Sequence, residues 1–231
     1  MDKSLDNKLP LTNIQRRIGK LMQRSKRQIP CSYLQSRADL TKLVGLRKPY
    51  CKAIGVRVTT NDFFFCAIAG AIKKYPLMAG HFEPDHRSIQ IARQIGIGFA
   101  VAAPQGLVVP VIKDVSEKTL PMLAQQSAEL LKKARANKLC PEDFHGADII
   151  LSSLGMYGID SFFAIVQPGT TGIISIGKFQ NTIVPVGGDK VIRKIMSVGL
   201  AVDNRIVNDV YTAKFLNYVI QQLENPETLT E

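Results

Sequence analysis

Apolar and polar positions recur along this chain with two different periods, and the changes of period mark out its elements. From Asn13 to Gln28 the apolar residues Ile14, Ile18, Leu21 and Met22 return at helical spacing with Arg and Lys opposite them, which predicts an amphipathic helix. Thr12 or Asn13 can cap its start, and Pro30 ends it. Cys31–Ala38 alternates as a strand does. Asp39 can cap a second helix running towards Tyr50, with Pro49 as its limit. Thr60-Asn61-Asp62 offers another cap. The stretch after it, Phe63–Lys74, is apolar on nearly every side until Lys73, the mark of a helix buried all round. His81–Ile91 reads as a hairpin region and Ile95–Ala102 as a strand. Leu107–Ile112 reads as a second strand beyond the turn Pro104-Gln105-Gly106. Leu120–Ala136 is an amphipathic helix with Leu123, Leu130 and Leu131 inward. Its Lys132-Lys133 lies at the end where the helix dipole favours cations. Strands at Asp148–Leu154, Gly172–Ile176, Thr182–Val186 and Ile192–Val202 follow, and Val210–Leu223 reads as the last helix. Strands and helices mix without strict alternation, which predicts an α+β fold rather than a doubly wound parallel sheet.

No repeat, low-complexity tract or Ser/Gly linker divides the chain. The expectation is one domain over residues 1–231, with residues 1–9 as a loose arm. At 231 residues it is long enough to bury a sizeable core, and 45% apolar against 21% charged residues is a globular balance. No apolar run reaches membrane-spanning length. The first residues lack an apolar signal core, and Asp2 and Asp6 argue against a transit peptide, so a cytoplasmic protein with no membrane partner is expected. Cys31, Cys51, Cys66 and Cys140 form no C-x-x-C pair, and with three scattered His they show no metal-ligand spacing. Reduced, mostly buried thiols and no metal are expected.

Charge changes the picture at one end. Residues 1–60 hold 14 Lys and Arg against 3 Asp and Glu, whereas the remainder is balanced. A basic arm or face of this kind attracts an anionic partner: a coenzyme A phosphate, an acidic protein or nucleic acid. No aromatic residue interleaves the basic ones between Leu9 and Ile29, which weighs against nucleic acid as the partner.

Few stretches of the chain carry residues suited to chemistry. There is no G-x-S-x-G elbow, P-loop or G-x-G-x-x-G. Ser152 and Ser153 stand at the end of a strand before the turn Gly155-Met-Tyr-Gly158. A hydroxyl there can donate to an oxyanion, or satisfy backbone in the turn. His81 and Asp85 have H-x-x-x-D spacing, but Pro84 sits between them, so His81 reads as an exposed turn histidine, as does His145. The polar knot Ala201–Asp209 on a strand-to-helix turn is the remaining candidate. Asn204 and Asn208 occupy the places where a base and its partner are wanted.

With Gly106-Leu-Val-Val-Pro110, Leu151-Ser-Ser-Leu-Gly-Met-Tyr-Gly158 and the Asp203–Asp209 knot, the chain resembles the catalytic core of the dihydrolipoyl acyltransferases of 2-oxo acid dehydrogenase complexes. The likeness runs from Leu9 to Leu229. Leu9-Pro-Leu-Thr-Asn-Ile-Gln-Arg-Arg-Ile-Gly19 matches the family's opening helix and Asn61-Asp62-Phe63 the start of its buried helix. Ala103–Ile112 matches its central hairpin and Leu223–Leu229 its tail. The resemblance implies a chloramphenicol-acetyltransferase-like subunit, a mixed sheet flanked by helices, that forms homotrimers. Its active site is a channel between two subunits that takes coenzyme A and dihydrolipoamide as substrates, with no tightly bound cofactor. Trimers would build a larger cage or a mixed assembly with a catalytic relative. In the family's D-H-R-x-x-D-G motif the histidine takes the thiol proton, while a serine or threonine of the neighbouring subunit steadies the tetrahedral intermediate.

Carried over, Ser152 falls on the oxyanion-stabilising hydroxyl, and Asp203 and Arg205 match the motif. Asn204 falls on the catalytic histidine, Asn208 on the second Asp and Asp209 on the glycine. A carboxamide does not titrate near neutral pH. The resemblance therefore implies a degenerate, catalytically impaired member, standing without the lipoyl and peripheral-subunit-binding domains that usually precede this core. Family members lacking the histidine are non-catalytic companions in such complexes. The alternatives are an active acyltransferase with altered chemistry, using Ser152 with the substrate thiolate or Asp209 as base, or a polyanion binder acting through the basic N-terminal region.

Overall fold

The computed structural model describes residues 9–83, 87–104 and 106–230. Helix α1 (Asn13–Gln28) starts at a capping box: the Gln15 N–H donates to Thr12 Oγ1 at 3.1 Å, and the Thr12 N–H donates to Gln15 Oε1 at 2.9 Å. Its apolar stripe is only partly covered, with Ile14 and Leu21 exposed. The helix is anchored instead by Ser25, whose buried hydroxyl donates to the Val166 carbonyl. Strand β1 (Cys31–Asp39) follows, then α2 (Thr41–Ile54). Asp39 does lend its carboxylate to the start of α2, accepting from the Thr41 N–H at 3.0 Å, but Pro49 does not end the helix. The chain stays helical through it to Gly55, whose left-handed φ of 69° stops the helix.

Helix α3 (Thr60–Lys74) is buried on nearly every side, as its sequence predicts. Phe63, Phe64, Phe65, Ile68 and Ile72 lie in the main core. A short hairpin of β2 (Gly80–Phe82) and β3 (Ile89–Ile91) follows. Each of the next two predicted strands is broken in two, giving β4 (Ile97–Phe99), β5 (Val101–Ala103), β6 (Gly106–Val108) and β7 (Val111–Ile112). β4 and β7 pair in the main sheet, whereas β5 and β6 pair apart from it as a separate ribbon. Helix α4 (Leu120–Arg135) comes next. Strand β8 (Ile149–Ser153), two fifteen-residue strands β9 (Gly172–Val186) and β10 (Asp189–Asp203), and α5 (Asp209–Glu224) complete the order.

The main sheet runs β1-β10-β9-β8-β4-β7 and is mixed: β8 is parallel to both β4 and β9, and the other pairs are antiparallel. Gly172–Ile176 and Thr182–Val186, read from sequence as two strands, are one. The polar residues between them continue the ladder as an exposed ribbon, turned by Gly187-Gly188 at φ 59° and 93°. Helices α3 and α5 pack Phe63, Phe215, Leu216, Val219 and Leu223 into the main core with the sheet residues Ile174, Val198 and Leu200.

Candidate active site

The turn after β10 is held by its own charges. Asp203, 2% exposed, accepts from the Arg205 backbone N–H at 3.1 Å, from Nε at 2.9 Å and from Nη2 at 2.6 Å. A bidentate fork of this kind fixes the plane of both groups, and Asp203 holds the guanidinium still more firmly in its charged form. The other face of Arg205 lies over the Phe82 ring, 5.0 Å from its centroid. Between the two, Asn204 is pushed outward. Its N–H donates to the Pro30 carbonyl at 2.9 Å and its side chain is exposed. Asn208 does not partner it. The Asn208 Oδ1 caps α5 by accepting from the Tyr211 N–H at 2.9 Å, and its carbonyl accepts from the Thr212 hydroxyl. Asp209 is exposed in the first turn of α5.

Ser152 is half-buried on β8. It stands level with Ser175 on β9 and hence with Gly199 on β10, two strands away and five residues short of Asn204. Standard strand spacings put the two sites roughly 19 Å apart. One chain therefore does not bring Ser152 and Asn204 together.

A cleft of about 660 Å³ lies beside the turn, lined by Arg24, Gln28, His81, Phe82, Thr170 and Arg205 among others. It holds a group that the sequence reading misplaces. His81 is not an exposed turn residue: it sits half-buried on β2, and its Nε2 contacts Asp148 Oδ1 at 2.5 Å. Asp85, the partner suggested by spacing, lies outside the described residues, as does His86. Asp148 is 3% exposed and also accepts from the Gly96 N–H at 2.7 Å. The loop closes tightly here, because a Cβ on Gly96 would lie 1.8 Å from the Gly146 carbonyl oxygen. The hydrogen bond to Asp148 raises the His81 pKa above its ordinary value, assisted by the Gly169 carbonyl. His81 and Asp148 are 67 residues apart, and a lone Asp before an apolar strand gives no sign of its partner.

Elsewhere on the sheet, Ser153 and Asn61 line a small cleft of about 270 Å³. Asn61 also borders a larger one of about 600 Å³, where Arg57, Lys132 and Arg135 rim a floor that includes Phe65 and Phe99. The buried Asp62 beneath accepts from the Thr59 N–H and from the Ser127 hydroxyl, so it is fully occupied with structure. The cysteines differ from expectation. Cys31, Cys51 and Cys66 are only partly buried, and Cys140 is exposed. Among the described residues, no three His, Cys, Asp or Glu side chains are placed to hold a metal ion, and no helix is long and apolar enough to cross a membrane.

Comparison with known proteins agrees with this geometry. The family model for the 2-oxoacid dehydrogenases acyltransferase (catalytic domain) matches residues 3–231. The dihydrolipoyllysine-residue acetyltransferase component of the pyruvate dehydrogenase complex of Rickettsia felis is 33% identical over 222 residues, covering 94% of this chain and 53% of that protein. The mitochondrial pyruvate dehydrogenase protein X component of Mus musculus is 31% identical over 226 residues, covering 96% of this chain and 44% of that protein. The chain thus spans about half the length of the curated relatives it matches. Among solved structures, the Azotobacter vinelandii dihydrolipoamide acetyltransferase superposes with a TM-score of 0.91 at 29% identity, covering 97% of this chain and 93% of that one. It was solved to investigate the role of a serine, a histidine and an asparagine in its catalytic mechanism. A cubic core of the pyruvate dehydrogenase multienzyme complex matches equally well, with the same score, identity and coverage. Chloramphenicol acetyltransferase, at 13% identity and a TM-score of 0.51 over 89% of this chain and 92% of that one, shares the fold alone.

Proposed function

The chain belongs to the 2-oxoacid dehydrogenases acyltransferase (catalytic domain) family, and from that premise we propose that it is a catalytically impaired member, a trimeric scaffold or assembly subunit of such a complex. The observation that carries this reading is the occupant of one position. In the Azotobacter protein the serine and the histidine are 52 positions apart and the asparagine follows by four; Ser152, Asn204 and Asn208 stand at the same intervals. On that correspondence Asn208 keeps the relative's residue type, Ser152 keeps the hydroxyl, and Asn204 alone replaces the base. A carboxamide neither accepts a thiol proton nor returns one.

The separation of Ser152 from Asn204 supports an oligomer, because a site using both needs the serine of a second copy. The exposed apolar groups Leu11, Ile14 and Leu21 near α1, and Ile183 and Ile192 on the long hairpin, are surfaces that neighbouring copies would cover. The cubic-core relative supports a larger cage, and the X-component relative supports a mixed assembly beside a histidine-bearing subunit. Reversible binding of coenzyme A is retained on this reading. The rim of Arg57, Lys132 and Arg135 suits its phosphates, and the cleft adjoins Ser153 through Asn61. Lipoyl groups would enter the same channel.

Native mass and acyl transfer test the reading together. A trimer, a multiple of trimers or a mixed particle with no acetyl transfer from acetyl-coenzyme A to free dihydrolipoamide is the expected result. Turnover within tenfold of the Azotobacter enzyme, measured side by side, would overturn it.

A second reading is favoured by the retained Ser152 and by Asp209, which stands exposed beside the turn: an active acyltransferase of altered chemistry, with the substrate thiolate or Asp209 as base. It requires Ser152→Ala to abolish a measurable activity and Asp209→Asn to shift its pH profile. The basic α1, which carries no acidic residue in its sequence, supports a weaker third reading as a polyanion binder, and absence of salt-dependent binding to polyanions removes it.

A further inference from the structure

We propose that the cleft between α1, β2 and the Asp203–Ile206 turn binds a small organic anion, a carboxylate or phosphate monoester on a short apolar body. The proposal is independent of whether the turn transfers acyl groups. Two guanidinium groups and an imidazole line the cleft: Arg24 from α1, Arg205 from the turn and His81 from β2. Of the carboxylates that balance them, Asp148 is not part of the lining, and Asp203 reaches it but is almost wholly covered. Asp148 and Asp203 are 3% and 2% exposed, whereas the side chains of His81 and Arg205 keep 34% and 39% of their surface open. Both carboxylates are already occupied, Asp148 by His81 and the Gly96 N–H, Asp203 by three donors of Arg205. Negative charge is locked into the protein and positive charge faces the space, so the cleft presents a cationic surface although its pairs are nearly neutral.

The parts divide their work. The His81 Nε2 is engaged by Asp148, so that nitrogen is not free to take a proton from a ligand, and the pairing raises the pKa of the ring above its ordinary value. Arg24 supplies donors. Its Nε donates to Gln28 Oε1 at 2.8 Å, and among the described residues no carboxylate pairs with it. The Thr170 hydroxyl donates to the Gln167 carbonyl and so offers the anion no donor, which leaves recognition to the side chains of Arg24, Arg205 and His81. The remaining wall is apolar, with Ile29, Pro168 and Ile206. A bare inorganic ion leaves that wall unused, and a volume of about 660 Å³ is that of a small-molecule site.

The test is calorimetric titration of the full chain with hexanoate, hexyl phosphate, inorganic phosphate and hexanol. One saturable site per chain is expected for hexanoate or hexyl phosphate, and the tighter of the two identifies the head group. Hexanol and inorganic phosphate are expected to bind at least about tenfold more weakly. Arg24→Gln removes a charged donor and should weaken the anion about ten- to hundredfold, and His81→Gln should weaken it as well. Arg24 is exposed on the helix surface, so Arg24→Gln decides the matter even where His81→Gln does not fold. Absence of saturable binding by either anion, equal affinity for hexanol, or unchanged affinity in Arg24→Gln overturns the proposal. Acyl transfer is assayed separately on the wild-type chain, so failure of this site and failure of the proposed impairment are read from different measurements.

Discussion

Returning a histidine to the turn is the sharpest test of the proposed impairment. Asn204→His puts an imidazole on a backbone that is already fixed, by the Asn204 N–H on Pro30 and by the Asp203–Arg205 fork on the next residue. The side chain at 204 is exposed, so the larger ring meets no packed neighbour and the fold should be unaffected. An exposed imidazole with a pKa of about 6.5 is roughly nine-tenths neutral at pH 7.5 and ready to take a proton. A positioned general base is worth about 10²–10⁴-fold, or about 2.7–5.4 kcal/mol of barrier. The lower end is expected, because the Asn208 oxygen that could orient the ring already accepts from the Tyr211 N–H. The assay is transfer from acetyl-coenzyme A to dihydrolipoamide, followed by loss of the thioester, with a pH profile. A gain of about a hundredfold, with a new ionisation near pH 6.5, supports the reasoning. No gain in a variant of unchanged native mass and melting temperature refutes it, since the missing base would then not be what limits the chain.

Other expectations concern the scaffold. Phe63→Ala or Phe215→Ala, each fully buried, should cost about 3–5 kcal/mol in denaturant unfolding, and an effect below 1 kcal/mol would contradict the packing described. Thr12→Ala removes one half of the α1 capping box and should cost about 1 kcal/mol, read as lost helicity or a lower denaturation midpoint. The His81 pKa is raised in the folded state, so its pairing with Asp148 contributes stability that is fully present below about pH 6.5 and is lost as pH rises through the raised value. Wild-type protein should therefore lose stability relative to His81→Gln as pH is raised from 6 to 9, and a constant difference between the two would show that the pair does not titrate as described.

Much of the fold was legible in order. The all-round apolar pattern of Phe63–Lys74 could only be a buried helix, and Ala201–Asp209 could only be a polar strand-to-helix turn, because local period and capping chemistry act over a few residues. Pro49 misled because a helix can absorb one missing hydrogen bond when its other contacts hold it. Gly172–Val186 was split because an exposed ribbon needs no apolar pattern once its partner strand supplies the ladder.

The sequence by itself determined the family and the presence of an asparagine at 204, since both are matters of residue type at a fixed place in the chain. Tertiary structure decided what the charges do. It joined His81 to Asp148 across 67 residues, turned Asn208 into a helix cap, and placed Ser152 about 19 Å from Asn204 by strand register. Each of these depends on which backbone segments the core brings side by side. That is a property of the packed sheet and helices, and no local stretch of residues carries it.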